Sequence, residues 1–236
     1  MSTHDAAAAL GARGTSPSGD FVVAALSRAI HEHRLAPGTK LGEGDLAEIY
    51  GTSRTIIRAA LQSLAHGQLV EIRRNRGAFV AKPTPKEARE IFEARELLEP
   101  RTAHMAAQKA TEADVALLRE HIAQEHEALA QSDSGRALYL SGQLHVHIAR
   151  IADQTTISGF IEHLIARSSL IVALYWKRES ALCERHAHHS LVDAIAANDA
   201  ETAEALMRSH LVDLHSSIEL PKSHDVGATL KEILGS

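Results

Sequence analysis

Aromatic residues are scarce, at 3% of the 236 positions, which argues against base stacking on single-stranded nucleic acid as the mode of recognition. The single cysteine, Cys183, excludes an internal disulfide and any cysteine-rich zinc module, and it fits a reducing cytoplasm. No uninterrupted apolar run approaches the ~20 residues a membrane span needs. The opening MSTHDAAAALGARGTSPSGD lacks the basic start and apolar block of a signal peptide. A cytoplasmic protein with no membrane partner is expected, with residues 1–18 as a flexible tail.

What is present is uneven along the chain. Residues 20–82 hold nine Lys/Arg against six Asp/Glu, a net +3, whereas 83–236 carry −8 of the total −5. A weakly basic module joined to an acidic one fits nucleic-acid binding confined to one end. Hydrophobic periodicity predicts helices over 21–33, 45–50 and 54–65, the last capped by Ser53 and followed by Gly67. Two strand-like runs, 69–72 and 78–81, flank the basic turn Arg73-Arg74-Asn75-Arg76-Gly77. Three helices and a hairpin make a winged helix-turn-helix over 19–82, with Lys82-Pro83-Thr84-Pro85 containing the linker (83–85).

In that motif the third helix enters the major groove and leads with its N-terminus. Arg54 and Arg58, four residues apart, share one face and suit guanine edges; Ser53 and Thr55 suit phosphates. Arg73, Arg74, Arg76 and Gly77 form a wing for the backbone or the adjacent minor groove. Taken singly, these arginines read as a solvated face; in this order, they point to double-stranded DNA.

From Lys86 onward the pattern is helical throughout. Helices are expected at 86–108, 112–130, 136–152, 156–177, 180–197 and 200–217, with breaks including one near Arg178. They form an antiparallel bundle over 86–220, followed by a loosely held tail, 221–236. The fold class is therefore mainly α. Three histidines fall on apolar helical faces: His145 with Ile148 and Ala152, His188 with Leu191 and Ile195, His210 with Leu206 and Leu214. His188 lies eleven residues before Asp199 and His210 eleven after it, so a turn at Asn198-Asp199 sets the two rings at one height. Three inward imidazoles in a bundle suit a metal; three separately hydrogen-bonded core histidines are the alternative. His147, His186 and His189 point elsewhere, and His215 sits one turn beyond His210.

Pro37-Gly38, Leu41, Leu46-Ala47, Ser53-Arg54-Thr55, Arg58, Ala60-Leu61, Leu64, Gly67, Leu69-Val70 and Arg76-Gly77 resemble the winged-helix signature of the GntR family of transcription regulators. Ile56 and Ala59 stand where the family usually has proline and glutamate. The segment 92–99, Leu144-His145 with Asp153-Gln154, and His188 through Asp193-Ala194-Ile195 to His210-Leu211 resemble its FCD class of effector domains. The resemblance implies a homodimer on a palindromic operator, usually a repressor, released by a small organic acid. It also implies a divalent metal, zinc or alternatively nickel or manganese, on His145, His188 and His210. The aspartate usual in that set falls on Ser141, a poor zinc ligand. An anionic effector is then expected to complete the shell near Ser141, with Arg95 as its partner, although Arg95 pairs equally well with Glu99 at i+4. A metal-sensing regulator without an organic effector, a structural metal, and a three-histidine metalloenzyme are the other readings. The last has no HExxH and no evident general base beside the site.

Overall fold

The computed structural model describes residues 18–176 and 181–220. The expected tails and the break near Arg178 lie outside the described residues, apart from Ser18 and the residues up to 220. The N-terminal unit comprises α1 (Gly19–His31), β1 (Lys40–Leu41), α2 (Glu43–Ile49), α3 (Arg54–His66), β2 (Val70–Arg73) and β3 (Gly77–Val80). Ser18 and Ser53 start α1 and α3 by accepting the backbone N–H three residues on, satisfying donors that a helix start leaves free. The sheet has three antiparallel strands in the order β1-β3-β2. β1 was not legible as a strand because its two residues show no alternation; it exists through pairing with Ala78 and Phe79. The wing closes with Arg73 opposite Gly77, where Asn75 (φ 59°) and Gly77 (φ 93°) take the left-handed conformations a tight turn requires.

The second unit is an all-helical bundle: α4 (Pro85–Lys109), α5 (Glu112–Ala130), α6 (Ser134–Ile151), α7 (Thr155–Tyr175), α8 (Ala181–Ala196) and α9 (Ala200–Ser216). Capping boxes at Thr84/Glu87 and Thr111/Asp114, and side-chain caps from Asp133 and Asp199, fix four of the helix starts. α4 continues through Pro100, which is buried, so packing here overrides the missing N–H. One core joins α4, α5, α6, α8 and α9 through Ala106, Leu118, Ile122, Leu144, Ile148, Leu191, Ile195 and Leu211. α7 is long and apolar enough to cross a membrane by length and composition, a property its interrupted apolar runs concealed. Here it buries Ile161, Ile165 and Ile171 within the bundle.

The two units share a joint between the end of α1 and helices α6 and α7. Leu170 of α7 belongs to the core of the winged-helix unit, beside residues such as Val22, Ile30 and Leu61. α1 ends at His31, two residues earlier than its periodicity suggests. His33 then turns into the left-handed region (φ 55°), and its Nε2 bonds the Ser169 carbonyl at 2.9 Å. Gly135, in the first turn of α6, packs so closely that a Cβ there would collide with the Glu32 carbonyl oxygen.

Candidate functional site

Ser53, Arg54, Thr55 and Arg58 are exposed at the start of α3, while Ile57, Ala60, Leu61 and Leu64 turn into the core. Arg58 is not free: Glu43 of α2 holds its guanidinium through two bonds of 2.6 and 3.0 Å. That contact spans fifteen residues and left no mark in the local pattern. On the wing, Arg74, Arg76 and Gly77 are exposed, whereas Arg73 pairs with Glu71 at 2.8 Å and lies over the Phe79 ring. The exposed polar surface of this unit thus includes Ser53, Arg54, Thr55 and Arg58 at the helix start, with Arg74 and Arg76 on the wing.

In the bundle, α6, α8 and α9 bring His145, His188 and His210 together, exposed by only 3%, 1% and 6%. Their ring centroids lie 4.8–5.6 Å apart, and one nitrogen from each falls within 4.8 Å of the others. Burial, reinforced by the neighbouring imidazoles, drives His210 well below the usual histidine range; burial also lowers His145, against the pull of Glu99. Burial thus favours the neutral form of both rings, the form that ligates a metal. The Nε2 atoms of His188 and His210 are buried and, among the described residues, have no hydrogen-bond partner. Such groups are costly to bury unpaired, so these two observations fit a cation at their meeting point.

Two carboxylates that the pattern-based site omits stand behind this cluster. Glu99 of α4 accepts from His145 Nδ1 at 2.5 Å, and Glu125 of α5 accepts from His188 Nδ1 at 3.0 Å. A carboxylate on Nδ1 leaves Nε2 with its lone pair toward the centre. The legible signal was a charge inside an apolar stripe: Glu125 follows Leu118 and Ile122 on the buried face of α5. Burial alone would raise the Glu99 carboxyl, but Arg95 and His145 together hold it at about 2.

Arg95, the expected partner of an anionic effector, is committed to Glu99 at 2.6 Å and Ser168 at 3.1 Å and is almost wholly buried. The i+4 pairing is the one the structure adopts. Arg95 still lines a cavity of about 50 Å³ with Ser141, His145, His210 and Trp176. His215 is no part of the cluster, because it bonds Glu96 at 2.9 Å and stacks on Phe92. His147 packs on His121 and His189 on His126, away from the three.

A winged helix carrying exposed arginines, joined to a helical bundle, has the architecture of a DNA-binding regulator. Residues 19–80 match the bacterial regulatory proteins of the gntR family, and residues 90–213 match the FCD domain. The chain belongs to the GntR family of transcription regulators and carries an FCD effector domain. It is 30% identical over 211 residues to the galactonate operon transcriptional repressor of Escherichia coli (strain K12), across 78% of this chain and 90% of that one. It is 26% identical to the HTH-type transcriptional repressor RspR of the same organism, across 86% and 90%. Among solved structures, E. coli McbR/YncC shares the fold, with a TM-score of 0.76 at 22% identity over 84% of this chain and 95% of that one. These relatives are regulators, not enzymes. GntR regulators bind operator DNA and FCD domains bind small-molecule effectors, so the metalloenzyme reading falls away.

Proposed function

We propose that the protein is a cytoplasmic homodimeric repressor, released from a palindromic operator when a small organic acid binds beside a divalent metal, zinc first, in the FCD domain. The observation that carries this reading is the convergence of His145, His188 and His210, two with Nε2 atoms unpartnered among the described residues and two braced by carboxylates, beside a cavity that His145 and His210 line. These three would hold the metal, and the metal would supply a fixed positive charge. Nickel and manganese remain the alternatives to zinc. With Arg95 offsetting Glu99, Glu125 is, among the described residues, the carboxylate behind the cluster with no cation paired to it. A divalent ion would then leave the site at net +1, suited to a carboxylate. Ser141 lines the cavity one turn before His145 and contributes no charge of its own, unlike the aspartate common in the class.

Repression is supported by the names of the two relatives above. A second copy of the chain is supported by Leu97 of α4 and Phe160 of α7, which leave 77% and 58% of their surfaces exposed. Thermal shift of the purified protein against small carboxylates, with and without prior chelation, tests the reading. A carboxylate that raises the midpoint only with metal present is expected. A large drop on chelation with no carboxylate response would leave a metal-sensing or structural site instead. In Ser141→Asp, tighter metal and weaker carboxylate binding are expected; unchanged metal affinity would separate Ser141 from the shell.

A further inference from the structure

The cavity beside the histidine cluster is not enclosed by the FCD domain alone. His31 and His33, from the end of α1 and the turn after it, line it together with His145, His210 and Arg95. The groups on its wall differ in what they have left to offer. His33 Nε2 is taken by the Ser169 carbonyl, His145 Nδ1 by Glu99, and Arg95 by Glu99 and Ser168. Among the described residues His31 and His210 each keep a buried Nε2 with no hydrogen-bond partner; the His210 atom is the one that would face the metal, which leaves the His31 atom for a ligand. One comes from the DNA-reading unit and one from the effector unit.

The His31 ring is also held in place. It stacks on Tyr139 of α6, centroids 6.1 Å apart and planes 22° apart, and Arg28 sits over the same tyrosine at 5.6 Å. Burial lowers its pKa to about 4, so it is a neutral imidazole able to present an Nε2–H or a lone pair. Roughly four water-sized positions fit the 50 Å³ between these walls, at about 10–15 Å³ for each. That room suits a short carboxylic acid with a second polar group, not a long acyl chain.

We propose that the effector site is built from both units, with His31 of the winged-helix unit hydrogen-bonding directly to the polar end of a short-chain organic acid whose carboxylate faces His145 and His210. This rests on the reading of the cavity as the effector site. The ligand then needs no relay to reach the DNA-binding half, because it touches that half. It lies at the joint made by Leu170, His33–Ser169 and Gly135–Glu32, so occupancy changes how α1 is held. The coupling is a difference in ligand contacts between the docked and undocked arrangements, which is what a two-state switch requires.

The test uses the full-length, metal-loaded protein and a panel of acetate, glycolate, glycerate and malonate, with affinity read by calorimetry and operator binding read by anisotropy. His31→Phe keeps a ring on Tyr139 and removes Nε2; His31→Gln restores a polar group. In His31→Phe the acid that binds the wild type is expected to bind about three- to tenfold more weakly, the scale of one net hydrogen bond, and to lose its effect on operator affinity. His31→Gln is expected to recover part of both. Equal affinity and equal operator response in His31→Phe, with binding abolished by His188→Ala, would overturn the two-unit site while leaving the metal-side reading intact. No binding of any panel member to the wild type would overturn both. Ligand-free thermal midpoints of the variants separate a folding defect from a lost contact: a His31→Phe effect that tracks destabilisation and is not rescued by Gln counts against the proposal.

Discussion

Glu125 and His188 meet across sixty-three residues of sequence, carboxylate on Nδ1, with neither more than 4% exposed. The carboxylate fixes the ring and its tautomer, leaving Nε2 directed away from the donor bond. Such partners commonly tune metal affinity by about 10–100-fold. Glu125→Gln is therefore expected to lower affinity for zinc within that range, measured by competition with a chromophoric chelator. Unchanged affinity would make Glu125 a core partner of His188 and nothing more.

Arg54 stands exposed at the start of α3, drawn to Glu43 only through space, whereas Arg58 donates two hydrogen bonds to the same carboxylate. Arg54→Ala is expected to weaken specific operator binding by about 1–3 kcal/mol and leave binding to unrelated duplex nearly unchanged. An equal loss on both DNAs would assign it to phosphate instead of a base edge.

Much of this was legible in the sequence because it rests on local chemistry. Ser53, Thr84, Thr111 and Asp199 cap the helices their side chains suggest. The three histidines converge as their apolar stripes imply, because a helix has one face to turn inward. What escaped depends on partners far apart in the chain. β1 has strand geometry only because β3 lies beside it, and Arg58 is engaged only because α2 crosses α3. Helix α1 stops short of His33 because the fold needs that ring on Ser169. No window of neighbouring residues contains that information.

The low pKa of His31 has a sign that can be checked. Its folded value, about 4, lies below the ordinary 6.5. Between those values the unfolded chain takes a proton that the folded chain refuses, so stability is lost as pH falls through that window. The slope is up to about 1.4 kcal/mol per pH unit for one group. Urea midpoints of the metal-free protein should fall from pH about 6.5 downward, less steeply in His31→Gln. Glu99, held at about 2 against an ordinary 4.5, adds a further loss as pH drops through that lower interval. Parallel slopes for wild type and His31→Gln would mean that His31 does not titrate as an isolated buried group.

Gly135→Ala inverts the usual expectation. Alanine in a helix ordinarily gains up to about 1 kcal/mol over glycine. Here the added Cβ meets the Glu32 backbone carbonyl, which has no flexible end to yield, so a net loss of about 1–3 kcal/mol is expected from forced displacement at the joint. Faster proteolysis within 82–85 should accompany it. A variant as stable as the parent would show that α1 and α6 separate freely.

Leu170 has a consequence for how this chain can be divided. It sits in the second half of the sequence, in α7, yet none of its surface is exposed and its neighbours are the core residues of the first half. A fragment cut at the linker would carry every DNA-facing arginine and still lack a side chain from its own interior. The boundary in the chain at 83–85 is not a boundary in the packing. The reader of DNA and the reader of the ligand are two sequence modules that complete one another's interior, and each is a different object alone.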